Sequence, residues 1–159
     1  AAPLPLGIEG LAEIVDVWFN EDWIPMDLIE NINHALPMGL EVKSFTNVEL
    51  SEPSLQNRVY ASIYSILQIN YPSRNYLEEN IRKVLSSQEL IVERNRRRIN
   101  LRERINDIML VQADDEGAVE IKMNLKQLPG LTGRPEDVLA TIGVDANKTR
   151  IMRIQILYR

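Results

Sequence analysis

The chain has 159 residues, of which 45% are hydrophobic and 26% charged, and it carries a net charge of −5. That length suits one ordinary domain or two small fused ones, and it can bury a core without staples. Cysteine is absent, which excludes disulfides, thiolate nucleophiles and cysteine-held zinc or iron–sulfur centres from this chain.

Apolar runs fall far short of the roughly 20 residues a membrane span requires. Residues 1–10 lack the basic start and hydrophobic segment of a signal peptide. A cytoplasmic location is the expectation. Ala1 in place of an initiator Met points to a fragment or a processed form. Charge is unevenly spread. Residues 1–55 hold Lys43 against ten acids, whereas residues 56–159 hold the other 17 basic residues against 13 acids. Such a split points to two units, and the polar break Ser51-Glu52-Pro53-Ser54 is the best boundary between them. The expected units are an acidic 1–53 and a basic 54–159, with any phosphate polymer meeting the second.

In chain order, Glu13–Phe19 alternates as a strand. Pro25 opens a helix from Met26 to Leu36, with Leu28, Ile29, Ile32, Ala35 and Leu36 at helical spacing, and Pro37 and Gly39 end it. Leu40–Leu50 returns as a strand, so residues 11–50 are too little to close a sheet alone. Arg58–Ile69 is the longest strand, with Val59, Ala61, Ile63, Leu67 and Ile69 on one side and Arg58, Tyr60, Ser62, Tyr64 and Gln68 on the other. A helix over Arg74–Ser86 buries Leu77, Ile81, Val84 and Leu85. Gln88–Asn95 returns as a strand. Ile108–Ala113 and Ala118–Leu125 form a hairpin joined by Asp114-Asp115-Glu116-Gly117, and its second arm turns Val119, Ile121, Met123 and Leu125 inward. Pro135–Ile142 is a short helix with proline first and Gly143 last. Thr149–Tyr158 closes the chain as a strand with Met152, Ile154, Ile156 and Tyr158 on one face. Two strand–helix–strand passes joined by a hairpin predict an α+β fold of ferredoxin-like βαβ units, an antiparallel sheet with helices packed on one face.

The strongest chemical feature is the stretch from Arg94 to Arg104, which holds six arginines (Arg94, Arg96, Arg97, Arg98, Arg102 and Arg104) in eleven residues. Guanidinium groups grip phosphates through a fixed fork, so RNA is one candidate ligand. The other reading is a solvated sheet edge whose charge discourages aggregation, with Glu93, Glu103 and Asp107 neutralising part of it. A second candidate is the face Arg58, Tyr60, Ser62, Tyr64, where tyrosines can stack on bases; the competing reading packs them against the other unit. Asp114-Asp115-Glu116 lacks the ligand spacing of a calcium loop and reads as a turn. The single histidine, His34, has no partner for a catalytic dyad. Gly130 and Gly133 lack phosphate-loop spacing and read as a turn before a helix. No catalytic, cofactor-binding, metal or small-molecule site is identified.

Several stretches in this order resemble the radical SAM-linked protein family: Pro3-Leu4-Pro5-Leu6-Gly7 with Ala12-Glu13-Ile14-Val15-Asp16, His34 to Leu40, Ala61 to Ile66, and Gly133 to Leu139. The match covers nearly the whole chain. The resemblance implies a domain that stands beside, or is fused behind, a radical SAM enzyme, often one with a cobalamin-binding region. It also implies a further segment ahead of residue 1, which would make residues 1–53 the second half of one ferredoxin-like unit and 54–159 a second unit. Radical SAM chemistry needs a cysteine-held cluster, so that chemistry is expected in a partner and no cofactor is expected here. The expected function is a non-catalytic accessory domain presenting RNA or a ribosome-related substrate; the alternative is a protein-docking module without a nucleic-acid role.

Overall fold

The strand Ala118–Leu128 alternates half-buried and buried side chains along its whole length. Val119, Ile121, Met123 and Leu125 are buried, as the alternation in the sequence predicts, and Gln127 continues the buried set. Each aliphatic side chain so buried contributes about 1.5–3 kcal/mol. The computed structural model describes residues 3–20, 27–69, 73–94, 96–113 and 118–159. They fall into two compact units, Ala1–Val15 with Leu55–Arg159, and Asp16–Ser54.

In the larger unit the elements run β1 (Glu9–Gly10), α2 (Leu55–Arg58), β2 (Val59–Ile69), α3 (Arg74–Ser86), β3 (Ile91–Arg94), β4 (Arg97–Asn100), β5 (Ile105–Ala113), β6 (Ala118–Leu128), β7 (Leu131–Thr132), α4 (Pro135–Ile142) and β8 (Thr149–Tyr158); α1 (Leu28–Ala35) belongs to the smaller unit. The main sheet has the order β1-β8-β2-β6-β5, with β7 on β6. Every pairing among β2, β5, β6 and β8 is antiparallel, while β1 joins β8 in parallel. Leaving aside β1 and β7, this is the ferredoxin-like order, in which each helix carries the chain between two strands that flank a third. Leu77, Ile81 and Val84 of α3 and Val138, Leu139 and Ile142 of α4 pack with Tyr64, Ile66, Ile108 and the buried face of β6. Both helices carry their end signals. Ser73 accepts a hydrogen bond from the Tyr76 amide at the start of α3, and α4 has proline in its first turn and Gly143 at φ +80° after its last.

Two faces differ from expectation, and β-bulges are the cause. The β2–β8 register shifts between Val59 and Ala61 and again between Ile63 and Tyr64, leaving Tyr60 and Ile154 without direct partners. One extra residue reverses which side every later side chain takes. Tyr64 therefore lies in the core at 1% exposure, while Leu67, placed inward by alternation, is 37% exposed. On β8, Met152 pairs with Ser65 and Ile156 with Ser62, so these two fall on opposite faces rather than one. The Gln88–Asn95 run also corrects. Its strand leaves the main sheet and pairs with β4 in a separate two-stranded sheet.

No strand forms over 13–19, which crosses the boundary between the units in sequence, or over 40–50 in the smaller unit; neither run joins a ladder. Alternating apolar residues make a strand only where another backbone accepts its hydrogen bonds. Here the Asn33 side chain stands in for one, donating to the Val42 carbonyl (3.1 Å) and accepting from the Val42 amide (2.7 Å). Helix α1 buries none of its residues. Pro25 and Met26, the expected helix start, lie outside the described residues, as does the Asp114–Gly117 turn.

Candidate functional site

The arginine stretch is a hairpin standing on the core. Leu90 and Val92 pack against the core cluster and Leu101 is fully buried, which roots both arms. The Leu101 amide donates to the Leu90 carbonyl (2.7 Å), and the Asn100 side chain accepts from the Leu90 amide (3.0 Å) and the Arg102 amide (3.2 Å). Above this clamp the arms pair Val92 with Ile99, Glu93 with Arg98 and Arg94 with Arg97. Arg96 turns the chain with φ +62°, a left-handed conformation that costs a non-glycine residue about 1 kcal/mol or more. Asn95 is outside the described residues.

Three of the six arginines are consumed by the fold. Arg94 donates to Asp137 (3.2 Å), in the first turn of α4, and to the Thr132 carbonyl. Arg102 donates to the Leu85 carbonyl (3.2 Å) at the end of α3 and to the Ile105 carbonyl (2.9 Å). Arg104 is buried and donates to the Thr132 carbonyl (3.1 Å), while its Nε has no hydrogen-bond partner among the described residues. Burial, and then the neighbouring Arg94 charge, hold the Arg104 guanidinium below its ordinary pKa. Gly133 lets this packing close, because a Cβ there would lie 2.8 Å from the Arg104 carbonyl oxygen. Arg96, Arg97 and Arg98 are different. All are exposed, and none has an ion pair among the described residues.

The second candidate face divides. Tyr64 is internal: its hydroxyl accepts from Gln127 Nε2 (3.3 Å), and Arg153 lies beside it. Burial pushes the Tyr64 phenol above its ordinary pKa, against the pull of Arg153. Arg153 is itself fully buried and reaches Glu13 with a bidentate pair, Nε to Oε1 at 2.7 Å and Nη2 to Oε2. Tyr60 remains 38% exposed. Arg58 lies 5.3 Å above the Tyr158 ring and donates from Nε to the Arg159 carbonyl (2.8 Å).

The hairpin and this remnant share one end of the sheet. There β2 begins and β8 ends, with Val59 opposite Tyr158; β6 ends, with Lys126 opposite Ala61; and β5 begins, with Ile105 opposite Leu125. Helix α4 also starts there, just after exposed Arg134. Sequence reading missed Arg134, Tyr158 and Arg153 as members of polar clusters. For Arg153 a signal existed. Arg150 and Arg153 are three apart, so in a regular strand both cannot face solvent.

This surface can attract anions through its exposed arginines. Among the described residues no three His, Asp or Glu side chains gather to hold a metal ion, and no helix is long and apolar enough to cross a membrane. No curated protein and no solved structure matches the chain. Residues 1–135 match the family described as an uncharacterized protein conserved in bacteria (DUF2344), and the chain belongs to that family.

Proposed function

We propose that the chain is a non-catalytic accessory domain that works in the cytoplasm with a radical SAM enzyme and contacts RNA through the tip of its arginine hairpin. The observation that carries the RNA contact is the division among the arginines. Arg94, Arg102 and Arg104 anchor the hairpin, so that Arg96, Arg97 and Arg98 are presented together on a held scaffold with their donors turned to solvent. Guanidinium groups without internal partners suit the non-bridging oxygens of a phosphate backbone. The association with a radical SAM enzyme is supported by the resemblance of the Pro3–Gly7, His34–Leu40 and Gly133–Leu139 stretches. The chain has no cysteine with which to hold the cluster itself. Binding of a structured RNA should weaken with salt. Changing Arg96, Arg97 and Arg98 together to Ala should reduce affinity about 100-fold and make the slope of log K against log salt shallower by about 2–3. No binding at low salt, or unchanged affinity in the triple variant, refutes the RNA contact.

A second reading, a docking module, draws on the smaller unit. Trp18 is 72% exposed, Met38 101% and Leu50 89%, on a segment rich in acids. Co-purification with the enzyme that is lost on Trp18→Ala and Leu50→Ala but survives the arginine changes would favour it.

A further inference from the structure

We propose that the RNA surface continues from the hairpin tip across the end of the sheet to Tyr60 and Tyr158, which form a stacking platform for unpaired bases. The inference rests on the RNA reading above and adds a ligand class to it: RNA in which an unpaired segment adjoins a duplex stem.

Geometry carries the continuity. At this end the strands lie in the order β8, β2, β6, β5, so three strand spacings, about 14 Å, separate the tyrosine edge from the start of β5 below the hairpin. Cations flank the gap. Lys126 stands on β6 opposite Ala61, on the face turned away from buried Leu125 and Gln127, and Arg134 precedes α4 without giving its helix a side-chain cap. Neither has an ion pair among the described residues.

The tyrosines have the form a stacking site needs. Tyr158 is 48% exposed and Tyr60 38%, so a large part of each side chain meets solvent. Tyr60 occupies the bulge of β2 where that strand meets the end of β8, which brings the two residues to one corner of the sheet. The Tyr158 ring is held by the Arg58 guanidinium over it, and Arg58 is in turn held by the Arg159 carbonyl. A ring fixed in advance loses little freedom when a base stacks on it, and any base offers it a π-face. The hairpin itself holds no aromatic residue from Ile91 to Asn100, so it offers charge to phosphates and no aromatic face to a base. The two ends thus have complementary chemistry, charge for a duplex backbone and aromatic faces for unpaired nucleotides.

The test compares a blunt RNA stem with the same stem carrying a short single-stranded extension, each titrated into the whole chain at low salt. The extension should tighten binding roughly 5- to 150-fold for each base stacked. Tyr60→Ala with Tyr158→Ala should remove that gain, Tyr158→Ala alone should remove part of it, and Tyr60→Phe with Tyr158→Phe should retain it. Melting temperatures close to that of the parent identify the variants that remain folded. A parent that binds the blunt stem and the extended stem equally well overturns the platform while leaving the arginine contact standing. A folded alanine variant that keeps the gain overturns it too. Failure to bind either RNA overturns the arginine reading, and the platform falls with it.

Discussion

The base and the tip of the arginine hairpin carry the same residue type within a few positions of one another, yet the two ends are in different physical states. At the base, Arg94, Arg102 and Arg104 spend their donors on Asp137 and on the carbonyls of Leu85, Ile105 and Thr132. At the tip, Arg96, Arg97 and Arg98 remain in water. A buried guanidinium must find acceptors or carry a desolvation penalty, whereas an exposed one keeps its hydration until a ligand replaces it. Arginine density in a sequence therefore measures neither binding nor stability by itself. What separates the two roles is whether a neighbouring element has carbonyls to offer.

The sharpest contrast with the tip is Arg153, the most buried arginine of all. Glu13→Gln would take the carboxylate out of the bidentate pair with the buried Arg153 guanidinium, and we expect a loss of about 3 kcal/mol in chemical denaturation. A loss below about 0.5 kcal/mol would mean that burial does little to separate the roles of these arginines. Arg104→Ala comes next. It removes the Thr132 contact and the buried part of the side chain beyond Cβ, and should lower stability by about 2 kcal/mol, read from the same denaturation midpoint.

Tyr64 and Tyr60 repeat the contrast in another residue type, and pH separates them. The Tyr64 phenol titrates above its ordinary 10.0 in the folded chain, chiefly because it is buried. As pH rises past that value the unfolded chain releases this proton while the folded one keeps it, so stability falls with increasing pH. Below it, the contribution is fully present. Tyr64→Phe should flatten the alkaline decline measured by denaturation between pH 9 and 11, a window set around the ordinary tyrosine value. An equally steep decline in that variant would show that Tyr64 is not the group responsible. The smallest expected effect is at the turn. Arg96→Gly relieves the positive φ and should raise stability by about 1 kcal/mol or less, while weakening the proposed RNA contact through the lost charge. Destabilisation would indicate that the arginine side chain does more at the turn than face solvent.

Legibility in the sequence followed the reach of each signal. The alternation of β6 and the punctuation of α3 and α4 could be read directly, because Ser73, Pro135 and Gly143 act through backbone geometry within a turn of themselves. The hairpin and the second strand–helix–strand pass were also readable, whereas the first pass took Gln88–Asn95 as its returning strand, a place that β5 fills in the sheet. The alternating runs at 13–19 and 40–50 misled for the opposite reason. Their alternation is as good as that of a strand, but a ladder needs a second backbone.

By itself the sequence determined the α+β class, the core face of β6, the ends of the helices and the concentration of arginine between residues 94 and 104, because local periodicity, capping and composition act over a few residues. Only the tertiary structure decided which tyrosine is core and which is surface, and which arginines are anchors and which stay exposed. Bulges at Tyr60 and Ile154 reverse a strand face without changing its composition. The carbonyls that hold Arg94 and Arg104 come from Thr132, far along the chain and brought close by the sheet. Side-chain role in this protein depends on those non-local partners, which residue type and spacing do not encode.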